Sequence, residues 1–99
     1  MHVAELDEVQ YDLELDGELA REQLSRRVWE TKGWATVAIA FRERDKAGAW
    51  RASRLALLRF RRVHDTWQRQ AQLTLSGDEA RALSDELATW FRTPAPDDE

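Results

Sequence analysis

The sequence predicts an α+β domain: an antiparallel sheet of four to five strands, followed by a C-terminal helix packed on one face, the whole forming a dimer. Three observations carry the prediction. Apolar and polar residues alternate over residues 9–15, 34–44 and 67–75, the period of a half-buried strand. Short turn sequences separate these runs: Asp16-Gly17, Lys32-Gly33 and Asp45-Lys46-Ala47-Gly48. After them comes one stretch with helical spacing, opened by a capping motif and stopped by Thr93-Pro94.

Each element follows from its residues. Val9, Tyr11, Leu13 and Leu15 point one way and Gln10, Asp12 and Glu14 the other, which predicts a strand over 9–15. Residues 18–30 are ambiguous. Ala20, Leu24 and Val28 recur at helical spacing, yet Leu24, Arg26 and Val28 also alternate with Ser25, Arg27 and Trp29, and a strand over the second half is the preferred reading. Residues 34–44 form the strongest strand, with Val37, Ile39 and Phe41 facing the core. Its other face, Trp34, Thr36, Ala38, Ala40, Arg42 and Arg44, is small-residued in the middle and cationic at the end. A third strand over 50–63 is apolar on both faces at Leu55-Ala56-Leu57-Leu58, so both faces require cover: the domain's own helix on one, a second subunit on the other. A brief turn at His64-Asp65-Thr66 leads to a fourth strand, 67–75, with Trp67, Arg69, Ala71, Leu73 and Leu75 on one side. Ser76 and Glu79 then form a capping box, and Ala80, Leu83, Leu87, Trp90 and Phe91 make the apolar face of the helix.

At 99 residues the chain is one domain with an adequate core. Its expected organisation is an acidic arm over residues 1–8, the domain over 9–92 and an acidic disordered tail over 93–99. The absence of cysteine excludes disulfides, thiolate metal sites and thiol nucleophiles. The longest mostly apolar run, 34–41, is far short of the roughly 20 residues that span a bilayer, so neither secretion nor membrane insertion is expected and a cytoplasmic, nucleoid-associated location is.

The net charge of -4 conceals an asymmetry. Residues 1–20 carry seven acidic residues and no Lys or Arg, whereas residues 21–76 carry thirteen basic residues against five acidic ones. Such a division fits a polyanionic partner, or an acidic arm that covers a basic surface in its absence; it also fits ordinary solvation of an exposed sheet face. Catalytic chemistry finds no foothold. His64 beside Asp65 lacks a third metal ligand, no Ser or Thr sits in a nucleophile elbow, and the glycines are accounted for by turns and a cap, so the chain reads as a non-enzyme without cofactor or metal.

Five tryptophans in so short a chain call for an explanation. Trp90 belongs to the helix face, but Trp29, Trp34, Trp50 and Trp67 lie near strand ends, where they can cover sheet edges or offer stacking platforms. Cationic side chains that follow phosphates, interleaved with aromatic faces that stack on unpaired bases, are how single strands are bound. The candidate interface is Arg27, Lys32, Arg42, Arg44, Arg59 and Arg61 on phosphates, with Trp29, Trp34 and Trp67 on bases. The third strand's parity leaves Phe60 and Arg62 as the alternative to Arg59 and Arg61.

Several features resemble the transcriptional positive cofactor four family and its small bacterial relatives: the Lys32-Gly33 turn, a second strand running into an Arg-rich end at Arg42, and Leu73-Thr74-Leu75-Ser76 directly before an acidic-capped helix. The resemblance covers about residues 21–92. It implies a β-β-β-β-α unit that dimerises and binds single-stranded DNA on a curved sheet. The third strand here is longer and less glycine-rich than that pattern, and the strand over 9–15 is an addition. The sequence therefore points to a non-enzymatic homodimer that binds single-stranded DNA, or RNA, in transcription or DNA maintenance. The alternative is a protein-interaction and self-assembly module without nucleic-acid affinity.

Overall fold

The computed structural model describes residues 2–92. In chain order it contains β1 (His2–Val3), a 3-10 turn (Leu6–Glu8), β2 (Leu13–Leu15), β3 (Glu18–Thr31), β4 (Trp34–Glu43), β5 (Arg54–Val63), β6 (Thr66–Ser76) and the helix α1 (Gly77–Trp90). The strands form one antiparallel sheet in the order β1-β6-β5-β4-β3-β2. The α+β class and the strand-then-helix order are thus as the periodicity predicts, with the two-residue β1 as an extra edge.

Residues β2 through β6 form a simple meander because the connectors are tight. Asp16 and Gly17 have φ of 53° and 82°, and Lys32 and Gly33 have 39° and 84°. Two successive left-handed residues give the turn whose twist matches that of a hairpin, and glycine takes the second position without steric cost. His64, at φ 57°, starts the β5–β6 turn.

The N-terminal segment departs most from its expected form. Its chain starts at the β6 edge, where His2 and Val3 pair with Gln68 and Trp67, and reaches the opposite edge as β2 beside β3. Between them it crosses one face of the sheet as a strap. Five strand spacings are about 24 Å, within the reach of nine extended residues. Leu6, Val9 and Tyr11 are buried on the way, against Ala35, Val37, Ile39 and Phe41 of β4, Ala56, Leu58 and Phe60 of β5, and Trp67 of β6. Tyr11 meets Phe41 edge-on at 4.8 Å between ring centroids. The strap's backbone is tied down by arginines: Arg26 donates to the carbonyls of Val9 and Leu6, and Arg21 donates to the carbonyl of Tyr11 at 2.8 Å while its guanidinium lies over the Tyr11 ring.

Three expectations are corrected here. Residues 9–15 are not one strand: only Leu13–Leu15 pairs, and Leu13 and Leu15 are exposed while Val9 and Tyr11 are buried by the crossing. The domain boundary at residue 9 also falls away, since β1 and Leu6 are already part of the fold; the 93–99 tail lies outside the described residues. Finally, the face shared by Trp67, Arg69, Ala71, Leu73 and Leu75 is broken. The register places Phe60 opposite Arg69 but Arg59 opposite Ala71, so Gln70 is an extra residue and parity changes there. A second bulge explains the ambiguity of residues 18–30: Gln23 pairs with Phe41 and Ser25 with Ala40, which leaves Leu24 extra, so a strand imitates helical spacing.

The helix begins as expected. Glu79 N–H donates to Ser76 Oγ at 3.1 Å, and Ser76 N–H donates to Glu79 Oε1 at 3.0 Å. Those bonds from the Ser76 backbone and side chain hold the Glu79 carboxyl below its ordinary value. A Cβ on Gly77 would stand 2.9 Å from the Ser53 carbonyl oxygen, so the helix start is pressed against the β4–β5 connector and has room only for glycine. Packing is where the expectation fails. Helix α1 has no buried residue, and Leu87, Trp90 and Phe91 are exposed at 39%, 63% and 76%. The strap has taken the place assigned to the helix, which extends from the β5–β6 end instead. The molecule measures 57 × 37 × 17 Å. With packed layers about 10 Å apart, that thickness holds the sheet and one cover, and the second face of the sheet is open. Among the described residues, no helix is long and apolar enough to cross a membrane.

Candidate nucleic-acid interface

The cross-strand register determines what the open face carries. Residues opposite one another on adjacent strands share a face. Thr31, Trp34, Arg61 and Gln68 make one row; Trp29, Thr36, Arg59 and Ala71 make the next; then come Arg27, Ala38, Leu57 and Leu73, followed by Ser25, Ala40, Leu55 and Leu75. The final row is Glu22 with Arg42. Five rows give three zones. One end is aromatic and cationic, the middle is apolar, and the other end is an ion pair.

At the first end the indole of Trp34 is half-buried, with the Arg59 and Arg61 guanidiniums 4.8 and 5.6 Å from its ring centre. One Arg59 N–H donates to Thr36 Oγ1 at 2.8 Å, which fixes the fork while the side chain stays exposed. Trp29 is 52% exposed, with the Arg27 guanidinium 5.6 Å from its ring centre. Lys32 is exposed on the adjoining β3–β4 turn. The two tryptophans therefore do different things. Trp34 is a platform that orients two arginines, and Trp29 offers an open ring. The parity left open by the sequence resolves to Arg59 and Arg61: Phe60 is fully buried, and Arg62 lies on the other face over Trp67.

The remaining expected site residues are elsewhere. Trp67 is buried at 6% exposure on the strapped face, so it has no free ring to stack on a base. Arg42 near the far end of β4 and Arg44 just past it are eight and ten residues, about 26 and 33 Å, from Trp34. Their guanidiniums sandwich Trp50, at 4.1 and 4.0 Å from its ring centre. Arg42 is paired with Glu22 at 2.8 Å, and Arg44 donates to the carbonyls of Leu19 and Gly48 at 2.9 and 2.8 Å. These contacts tie the end of β4 to β3 and to the β4–β5 connector, and both guanidiniums are stacked on Trp50 instead of standing open. The sequence identified neither this cluster nor the strap-pinning role of Arg26, because both depend on pairings between residues about 20 positions apart.

The assembled residues can do a limited set of things. Four cations and two indoles, one of them open, share this end, with no acidic side chain in the first three rows. That arrangement can take an extended polyanion with planar groups. Among the described residues, no cluster of three or more histidine or acidic side chains is arranged to hold a metal ion. No protein-family model matches the chain, and no curated protein or solved structure matches it either.

Proposed function

We propose that this chain binds single-stranded nucleic acid, DNA in preference to RNA, as a non-enzymatic cytoplasmic homodimer serving transcription or DNA maintenance. The observation that carries the reading is the cluster of Arg27, Trp29, Lys32, Trp34, Arg59 and Arg61 at one end of an open sheet face. Guanidinium forks suit phosphate oxygens, and an exposed indole suits an unpaired base. A duplex hides its base faces, whereas a single strand offers them beside its phosphates. The resemblance of residues 21–92 to the positive cofactor four family supports DNA as the partner.

The test is a titration of labelled single-stranded oligonucleotide followed by anisotropy across a salt series. Four phosphate contacts per protomer predict that log K falls with log salt with a slope of about -3. Affinity no better than millimolar at low salt, or affinity indifferent to salt, would overturn the proposal. A second reading, a protein-interaction module, is favoured by the apolar middle of the same face, and it predicts self-association with no response to oligonucleotide.

A further inference from the structure

The apolar middle of the open face is unpartnered. It comprises Ala38 and Ala40 of β4, Leu55 and Leu57 of β5, and Ala71, Leu73 and Leu75 of β6, with Leu73 51% exposed. Shallow grooves run through it, one along Thr36, Leu57, Ala71 and Leu73 and one along Ser25, Ala38, Ala40 and Leu55. The same chain carries a second unpartnered apolar surface, the α1 stripe of Leu83, Leu87, Trp90 and Phe91.

We infer that the occupant of this sheet face is helix α1 of a second copy, so that two protomers exchange helices reciprocally across a two-fold axis. Three observations argue for this occupant. The charges are complementary: Glu79 and Glu86 edge the helix stripe, and Arg27 and Arg59 edge the sheet patch. The dimensions agree, since a 14-residue helix is about 21 Å long and the apolar rows run about 17 Å along the strands. The area is at the lower limit of a specific interface: a patch of about 14 by 17 Å, matched on the helix and doubled by symmetry, is about 950 Å² against the roughly 1,000 Å² required. This deepens the dimeric part of the proposed function, and sedimentation without oligonucleotide tests it separately from the nucleic-acid part. The patch borders the aromatic-cationic end: Arg27 and Arg59 are shared between the two, while Lys32, Trp34 and Arg61 lie beyond it.

The experiment is sedimentation velocity on the full chain. The wild type should sediment at twice the 11.6 kDa chain mass at micromolar concentration. The double variant Trp90→Ala/Phe91→Ala and the sheet variant Leu57→Asp should each weaken dimerisation by about thirtyfold or more, the scale of an interface hot spot. A mixture of the two variants should form more dimer than either variant alone, because one of the two exchanged contacts is then intact and both defects fall in the other, where their costs do not add. Circular dichroism on the helix variant, whose changed residues are exposed, checks that folding is retained. A monomeric wild type, a helix variant that dimerises undiminished, or a mixture without rescue would each overturn the inference. The first covers a helix that folds back on its own sheet or a face kept for a different protein, and the last covers like-with-like contact.

Discussion

Individual tryptophans divide by environment rather than by position in the sequence. Trp29 and Trp67 both lie near strand ends, yet one is 52% exposed and the other 6%. The β5–β6 bulge separates them, since it turns the first part of β6 toward the strap. Replacing Trp29 with Ala should leave the melting temperature nearly unchanged and weaken oligonucleotide binding by about 1–3 kcal/mol, the value of one stacked base. Trp67→Ala should do the reverse and cost about 3–5 kcal/mol of stability through the cavity it leaves. Denaturation and anisotropy on the same two variants check this. Residue type nominated Arg27, Trp29, Lys32, Trp34, Arg59 and Arg61 as candidates, and strand register and the β3–β4 turn place them at one end of the open face. It nominated Arg42, Arg44 and Trp67 as well, but their availability depends on partners such as Glu22 that only strand register brings opposite.

At the scale of elements, alternation and capping were strong guides: β4 and the start of α1 stand where the pattern puts them. Bulges and crossings were not legible. A single extra residue reverses every later side chain in a strand, which is what Leu24 and Gln70 do, and a strap alternates like a strand without pairing like one. The strap depends on Arg26, whose guanidinium serves two backbone carbonyls. Arg26→Met keeps the stem but drops both bonds, and chemical denaturation should show a loss of about 1.5–3 kcal/mol. The cap of α1 adds a pH dependence. Its Glu79 carboxyl is held below the ordinary value of 4.5 by Ser76, so its contribution is present above that pH and is lost as pH falls through the folded value. Helicity followed by circular dichroism should decline on acidification below about pH 4.5, and the decline should be smaller in Glu79→Ala.

For the whole molecule, the two faces of the sheet are covered unequally. One face of the sheet is closed by the chain's own N-terminus, and this local cover frees the helix. The other face divides into an apolar zone and an aromatic, cationic end. The acidic residues near the N-terminus do not screen that end, because the segment crosses the opposite face. The most direct test of the central claim is amide chemical-shift mapping during titration with a short single-stranded DNA. The account predicts perturbations concentrated at residues 27–36 and 59–61, with little change at 42–50. Perturbations centred on the strap or on the Trp50 cluster, or none at all at saturating oligonucleotide, would contradict it.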